Sequence, residues 1–223
     1  MKWLRKIYSN PHFWPVVIVL FFAILASRTL LFQQGYFNMH DDLQMMRQLQ
    51  MEKCFADGQI PCRWVPDMGY GFGFPLFNFY PPLPYLIGQG IRVLGLSFIS
   101  TAKLLFALSF LVSGVGMYLL AQEFFKRLGG VVSAIFYIWA PYHAVDVYVR
   151  GAMNEAWALA IFPFIFWTTY KIVTEKKNLT KWIGGLALST FALLTSHNLM
   201  VLIFGPLTVI WALFWMWREK SWK

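Results

Sequence analysis

Charged residues are scarce in this chain. Only 13% of its 223 residues are charged, whereas a soluble domain typically carries about 25%. With 58% hydrophobic residues and a mean hydropathy of +0.53, much of the folded surface must face lipid rather than water. The apolar runs are continuous and lack the alternation that the strands of a transmembrane barrel require. The composition therefore predicts an all-α membrane protein.

Acidic residues are the scarcer half of the charge, at 10 against 19 basic residues, and the net charge is +9. In a soluble protein such an excess would suggest a nucleic-acid partner. Here the basic residues flank apolar runs, as they do on the cytoplasmic side of membrane proteins. The sequence therefore predicts a lipid bilayer as partner and no nucleic acid.

Cysteine is also rare, and several chemical motifs are missing. Cys54 and Cys62 are the two cysteines of the chain. A disulfide between them and two unlinked thiols are equally open if their loop is extracytoplasmic. No zinc-like Cys/His spacing occurs, and the glycines of 69–73 lack the strand and helix of a nucleotide-binding loop. The first apolar run is too long for a cleavable signal peptide, so none is expected.

The long apolar runs predict six transmembrane helices, each of which needs about 20 apolar residues. A further apolar stretch, 81–97, is short, is interrupted by glycine and proline, and carries Arg92. If it crossed the membrane, Lys126–Arg127 and the basic C-terminal residues would lie outside, against the positive-inside rule. We therefore expect an interfacial helix there. The six expected spans are 13–32, 100–124, 130–144, 156–173, 182–196 and 199–217.

With six spans, twelve of the nineteen basic residues fall on one side, which the positive-inside rule makes cytoplasmic. They lie in the N-terminus, at Lys126–Arg127, between Lys171 and Lys181, and after residue 217. The chain is then a single transmembrane module, 1–223, with a cytoplasmic N-terminus. Residues 34–98 form a long extracytoplasmic loop.

The long loop is expected to carry a second interfacial helix. Leu43, Met46 and Leu49 recur with a spacing of three, which is typical of a short amphipathic helix with one apolar stripe. Its N-cap would be Asn38 or Asp41. We expect this helix to lie on the membrane surface.

The spans 130–144 and 182–196 are short for a bilayer. Their outer ends, with His143 and His197, would then lie below the membrane surface. Polar groups at that depth need a water-filled cavity or partners. The sequence therefore predicts an aqueous pocket that opens to the outside and is covered by the long loop.

An adjacent acidic pair, Asp41 and Asp42, begins the long loop. One carboxylate would bind a divalent metal such as Mg or Mn, while the other would take a proton from an acceptor hydroxyl. Alternatively, both residues lie in the first turn of the following helix and only cap it. The residues alone favour neither role.

A dense polar cluster at 142–155 separates two spans on the same face as the long loop. Arg150 is its natural phosphate ligand, because the guanidinium fork matches phosphate oxygens. His143 and Asp146 add polar groups that a simple connecting turn does not need. Glu155 either takes part in the chemistry or caps the next helix, and Arg150 alternatively anchors at the headgroups.

Two more segments of this face carry candidate binding residues. His197 and Asn198 lie at a tight turn between apolar runs, where such side chains more often satisfy helix ends. The aromatic run 69–82 offers stacking faces for a sugar or a lipid chain, although most of its phenylalanines are typical of an interfacial belt. Tyr70 and Asn78 are its better binding candidates.

These motifs carry a resemblance. The span followed by His40-Asp41-Asp42 and by an aromatic-proline run before an interfacial helix resembles the GT-C superfamily of integral-membrane glycosyltransferases. More closely, the chain resembles bacterial multipass proteins described as 6-pyruvoyl-tetrahydropterin-synthase-related membrane proteins. The runs 39–42, 69–73, 150–155 and 196–198 have counterparts there, and the resemblance covers nearly the whole chain. Pterin synthase chemistry itself is not implied, since it needs a soluble fold with a zinc site.

The resemblance implies a GT-C-like N-terminal module in a bacterial plasma membrane. Its activity would be transfer of a sugar from a polyprenyl-phosphate donor to a glycan, lipid or protein acceptor. Asp41 or Asp42 would be the base or metal ligand, Asp146 or Glu155 the second acidic position, and Arg150 the donor phosphate contact. Such enzymes continue with further spans, so the chain is expected to be part of a longer protein. The alternative is a non-catalytic lipid-binding, transport or assembly module.

Overall fold

The computed structural model describes residues 8–36, 38–175 and 177–221, and their regular structure is helical. The basic residues Lys2, Arg5, Lys6, Lys176 and Lys223, which entered the charge count, lie outside the described residues. The described helices are α1 Phe13–Ala26, α2 Arg28–Phe32, α3 Gln44–Ala56, α4 Leu76–Phe79, α5 Leu83–Val93, α6 Phe98–Ile138, α7 Pro141–Ala144, a π-helical turn Val145–Arg150, α8 Met153–Thr174, α9 Leu179–Leu194 and α10 Asn198–Arg218.

Three of these helices, α6, α8 and α10, are long and apolar enough to cross a membrane. The helices α1 and α9 are apolar but shorter, at 14 and 16 residues. The predicted all-helical membrane architecture is confirmed at this level.

The longest helix, α6, is two helices in one. Lys126 leaves the helical conformation with φ 59° and ψ −175°, which divides α6 into arms 98–125 and 127–138. A Cβ built on Gly114 would lie 2.6 Å from Ile138 Cδ1, and one on Gly130 would lie 3.0 Å from Tyr118 Cδ2. Such contacts between residues before and after Lys126 require the two arms to pack antiparallel. The break that the sequence predicts between residues 124 and 130 is therefore present, at Lys126.

The helix α8 occupies the centre of the bundle. All of residues 153–163 are buried, as expected for a helix that is hydrophobic around its whole circumference. By contrast, α10 is almost entirely exposed along its apolar side, and Leu199, Leu202 and Ile203 are among its exposed residues. An apolar helix packed on one side only is suited to contact with lipid or with other apolar helices.

The long loop folds into a small packed unit with its own core. Met51, Cys54, Val65, Phe77 and Tyr85 are buried together there. Cys54 and Cys62 form a disulfide, which resolves the two alternatives left open by the sequence.

Three details of this loop differ from the sequence predictions. Leu43 is the N-cap of α3 without a side-chain hydrogen bond, so capping by Asn38 or Asp41 is wrong. Leu43 is also exposed, and the face that α3 buries is mainly polar: Gln44, Arg47, Gln48, Gln50, Met51 and Cys54. The expected interfacial helix at 81–97 is the shorter α5, because Gly95 turns the chain with φ 89° and the Ser97 side chain caps α6.

Backbone hydrogen bonds hold the long loop against the bundle. The amide nitrogens of His40 and Asp41 donate to the carbonyls of Val149 and Arg150 at 3.0 and 2.9 Å. The Leu83 amide donates to the Thr195 carbonyl at 2.8 Å. We call this end of the molecule the loop end, and the end that carries Lys126 the turn end.

Candidate functional site

A polar cavity of about 340 Å³ lies at the loop end. Its walls come from the start of the long loop, the aromatic-proline run, the start of α8 and the turn before α10. The lining residues are His40, Asp41, Tyr80, Arg150, Ala152, Asn154, Glu155 and His197. Five of the predicted site residues therefore meet at one cavity.

The carboxylate of Asp41 is held by two side chains of α3. Arg47 Nη1 donates to Asp41 Oδ1 and Oδ2 at 2.9 and 2.7 Å, and Gln44 Nε2 donates to Oδ2 at 3.1 Å. Gln44 also donates to the Gly151 carbonyl at 2.7 Å and accepts a hydrogen bond from Tyr85 at 2.6 Å. Since Gln44 and Arg47 are both buried, α3 fixes Asp41 in place. It also ties Asp41 to the turn Val145–Arg150 with Gly151, which we call the arginine turn.

Gly151 permits the close approach of Met39 and Asp41 to the arginine turn. It has φ +66°, and a Cβ on it would lie 2.4 Å from Met39 Sδ and 2.8 Å from the Asp41 carbonyl oxygen. A left-handed conformation is readily adopted only by glycine among common residues. Glycine at this position therefore allows both the left-handed turn and the contact with residues 39–42, which we call the acidic loop.

Arg150 is the centre of a charged cluster. Its Nη1 donates to Asp146 Oδ1 at 2.8 Å, and its Nη2 is 2.7 Å from Glu155 Oε2. Tyr142 donates to Glu155 Oε1 and receives a 3.2 Å hydrogen bond from Arg150. The Arg150 side chain is 41% exposed, whereas those of Asp146 and Glu155 are 0% and 6% exposed. The two buried carboxylates hold the guanidinium at the cavity wall while part of it stays accessible.

Asp146 is the most perturbed acid of this cluster. The pKa of Asp146 is raised to about 7, chiefly by burial and also by the charge of Glu155, while Arg150 opposes the rise. Its Oδ2 is buried and has no hydrogen-bond partner among the described residues. The cluster therefore holds a carboxyl that changes its protonation near neutral pH.

The three candidate histidines have different roles. His197 caps α10, with its Nδ1 accepting a hydrogen bond from the Met200 amide at 3.2 Å. Burial lowers the pKa of His197, and the charge of Glu155 opposes this change. His40 is exposed at the cavity. His143 does not line this cavity: it is buried in the bundle with Nδ1 2.6 Å from the Tyr137 carbonyl.

Tyr80 is a cavity residue that the sequence analysis did not select. Asn198 Nδ2 donates to the Phe79 carbonyl at 3.2 Å, and Asn154 Nδ2 donates to the Pro81 carbonyl at 2.7 Å. The two asparagines thus hold the backbone on both sides of Tyr80. The Arg47 guanidinium lies over the Tyr80 ring at 4.3 Å, within the range of a cation–π contact.

A second, smaller cavity of about 200 Å³ adjoins the first. Tyr80, Asn154 and His197 line both cavities. The second cavity is also lined by Phe79 and by Leu199 on the exposed side of α10, and by Asn198. The polar cavity therefore adjoins a smaller cavity that reaches the exposed side of α10.

The remaining predicted residues lie outside both cavities. Asp42 and Asn78 are exposed, and Tyr70 is fully exposed in a turn with φ 58°. Asp146 lies behind Arg150 rather than on the cavity wall. Asp41 thus lines the cavity and Asp42 does not, although the sequence analysis considered them as a pair.

The described residues of the cavity form no ready-made site for a metal ion. The described residues contain no group of three or more histidine, cysteine, aspartate or glutamate side chains arranged for a metal. Both oxygens of Asp41 already accept hydrogen bonds from Arg47, and a metal there would have to displace the guanidinium.

The residues that sequence reasoning missed share a weak signal. Gln44, Arg47 and Gln48 recur at helical spacing after Asp41, but a polar stripe of this kind usually faces solvent. Asn154 and Tyr80 each stand in a run that was recognised as a whole, and no spacing distinguishes them from their neighbours.

The chain matches a known family over residues 77–223, about two thirds of its length, with the description "6-pyruvoyl-tetrahydropterin synthase related domain; membrane protein". The chain belongs to this family. An uncharacterized protein of Lactococcus lactis subsp. cremoris (strain MG1363) is 23% identical over 214 residues, which cover 93% of this chain and 34% of that protein. The chain thus spans about a third of the length of the curated relative it matches. No solved structure matches the chain.

Proposed function

We propose that this member of the 6-pyruvoyl-tetrahydropterin synthase related membrane-protein family is a membrane glycosyltransferase or the N-terminal module of one. It would transfer a sugar from a polyprenyl-phosphate donor to a glycan, lipid or protein acceptor. One observation carries the proposal: acidic, basic and imidazole side chains from three separate segments line a single cavity.

The proposed arrangement in the membrane has six spans. The two arms of α6 act as separate spans joined at Lys126, and α1 and α9 complete the bundle with α8 and α10. Lys126 and Arg127 lie at the turn end, and the positive-inside rule favours a cytoplasmic location for this end and for the N-terminus. The cavity would then open on the extracytoplasmic face of a bacterial plasma membrane.

The accessible part of Arg150 supports its role as the donor phosphate ligand, because a guanidinium binds phosphate oxygens through paired hydrogen bonds. Asp41 would be the general base. In the transfer, the acceptor hydroxyl oxygen bonds to the anomeric carbon as the bond from that carbon to the phosphate oxygen breaks. The hydroxyl proton goes to the carboxylate, and the electron pair leaves with polyprenyl phosphate.

Asp41→Asn tests the catalytic assignment, and Asp42→Asn is its matched control. Both changes remove one carboxylate, but only Asp41 lines the cavity. In the full-length protein reconstituted with polyprenyl-phosphate-linked glucose, mannose or N-acetylglucosamine, we expect Asp41→Asn to slow polyprenyl phosphate release by about 10²–10⁴-fold, as for loss of a general base. Asp42→Asn should remain close to the parent protein.

Asp41→Asn also leaves Arg47 without its ion pair, so a loss of activity could come from a folding defect. Thermal unfolding of both variants distinguishes such a defect from loss of the base. Turnover by a folded Asp41→Asn variant at the parent rate would refute the base assignment.

A non-catalytic lipid-binding module is the second candidate. It is favoured by the ion pairs that already occupy both charged groups, Asp41 with Arg47 at 2.7 Å and Arg150 with Glu155 at 2.7 Å. Such pairing also suits a site that only recognises a headgroup. Stoichiometric binding of polyprenyl phosphate without turnover of any of the three donors would support this function over transfer.

A further inference from the structure

A third cavity, of about 470 Å³, lies at the turn end, far from the polar cavity. It is formed where the start of α1 meets the turn between the two arms of α6. The lining residues are Tyr8, Ser9, Asn10, Pro11, Trp14, Pro15, Ile18, Arg127, Leu128 and Val131. The opposite end of α1 contacts the loop end, where Tyr148 donates to the Ala26 carbonyl, so the two sites are separated by the length of α1.

The polar rim of this cavity is basic. Arg127 lines it and is exposed, and Lys126 precedes Arg127 at the turn. The nearby acid on α6, Glu123, is engaged elsewhere: it accepts hydrogen bonds from Trp167 at 3.0 Å and from Lys171 at 3.3 Å. Residues 8–36 contain no acidic residue. The described part of this rim therefore attracts anions.

The walls of the cavity are apolar and continue onto the outside of the bundle. Trp14, Ile18 and Leu128 line the cavity and are exposed, and Phe21 extends the exposed apolar surface along α1. Tryptophan is typical of the level at which a helix passes from hydrocarbon to headgroups. A basic rim above an apolar wall is complementary to a molecule with an anionic head and hydrocarbon chains.

Two contacts hold the walls of this cavity together. His12 Nδ1 is 2.8 Å from the Tyr118 hydroxyl, and Arg127 Nη1 donates to the Pro11 carbonyl at 3.4 Å. They hold the start of α1 against both arms of α6. The walls of the cleft are therefore held by contacts within the chain itself.

We propose that this cleft binds an anionic phospholipid, with Arg127 at the headgroup phosphate and the acyl chains against Trp14 and Ile18. The site is separate from the polar cavity and does not depend on the proposed transferase activity.

The test is lipid retention by the purified protein, measured by native mass spectrometry after incubation with mixed phosphatidylglycerol and phosphatidylcholine. One basic residue near a lipid surface contributes a factor of about five in affinity, so the parent protein should retain phosphatidylglycerol about fivefold more strongly. Arg127→Gln should abolish this preference, and Arg127→Lys should keep it. Arg63→Gln is the matched control, because Arg63 is exposed in the long loop, away from the cleft.

Equal retention of the two lipids by the parent protein, or an unchanged preference in Arg127→Gln, would overturn the proposal. So would an equal loss in Arg63→Gln, which would indicate a general effect of net charge. Displacement of phosphatidylglycerol by millimolar inorganic phosphate would point to a soluble anion instead. If Arg127→Gln fails to fold in phosphatidylcholine alone, Lys126→Gln replaces it and should also reduce the preference.

Discussion

Replacing Gly151 with alanine tests whether the acidic loop and the arginine turn must touch. The substitution changes no charged or hydrogen-bonding side chain. Its Cβ would lie 2.8 Å from the Asp41 carbonyl oxygen, which must retreat by about 0.6 Å to reach ordinary contact at 3.4 Å. The Asp41–Arg150 backbone hydrogen bond at 2.9 Å and the Gln44–Gly151 hydrogen bond at 2.7 Å would both be weakened.

The expected loss of stability has two parts. A left-handed conformation costs alanine about 1 kcal/mol relative to glycine. Two weakened hydrogen bonds add roughly 1 kcal/mol each, for a total of about 3 kcal/mol. Gly58→Ala is the matched control, because Gly58 has φ +77° and a Cβ there would meet nothing within 4 Å.

The assay is denaturant unfolding in detergent micelles, followed by tryptophan fluorescence. Gly58→Ala should lose only the conformational part, about 1 kcal/mol, and Gly151→Ala about three times as much. Sugar transfer, where present, should fall in Gly151→Ala alone because Asp41 moves. If the two variants were equally stable, the close contact between the acidic loop and the arginine turn would not contribute to stability, which would refute this reasoning.

Three further predictions concern single groups. The pKa of Asp146 is raised from 3.8 to about 7, so the native state binds this proton more tightly than the unfolded chain does. The free energy of unfolding should therefore fall as the pH rises from about 4 to about 7. Asp146→Asn should remove this slope, which is measured by unfolding at a series of pH values. Replacing Cys54 and Cys62 by serine should destabilise the loop unit by about 2.5 kcal/mol, because the disulfide closes a loop with a sequence separation of 8; equal unfolding with and without reductant in the parent protein would contradict this. Tyr80→Ala should weaken binding of polyprenyl phosphate in a direct binding assay while Tyr80→Phe retains it, and equal affinity of both variants would exclude the ring as a binding surface.

The division of α6 was predictable because charge and hydropathy change together there. Lys126 and Arg127 interrupt a long apolar stretch, and a basic pair is costly to place within hydrocarbon. The turn that the structure has at Lys126 follows from this local feature. The burial of α8 was less predictable, since its apolar residues would equally suit a helix that faces lipid.

The burial of α3 could not be predicted from its pattern. Leu43, Met46 and Leu49 form the apolar stripe that periodicity selects, yet Leu43 is exposed. The buried face instead presents Gln44 and Arg47, whose partners come from distant parts of the chain. Burial of polar side chains depends on hydrogen-bond partners, and a helical pattern carries no information about them.

The candidate site was predictable as a face but not as a set of contacts. The expected topology placed His40, Asp41, Arg150 and His197 on the same side of the membrane, and all four line one cavity. The choice of Asp41 over Asp42 depends on which backbone groups pair with the arginine turn. That pairing is a tertiary event, and two adjacent aspartates look alike in the sequence.

The polar underside of α3 restricts how the molecule can move. Gln44 and Gln48 are buried and bond to distant groups, Gln44 to Gly151 and Tyr85, and Gln48 to the Tyr85 carbonyl. A rotation or shift of α3 by one residue would leave several buried side-chain amides without hydrogen-bond partners at once. A helix with an apolar buried face would lose no hydrogen bonds in the same movement. A large hinged opening of α3 would therefore be disfavoured.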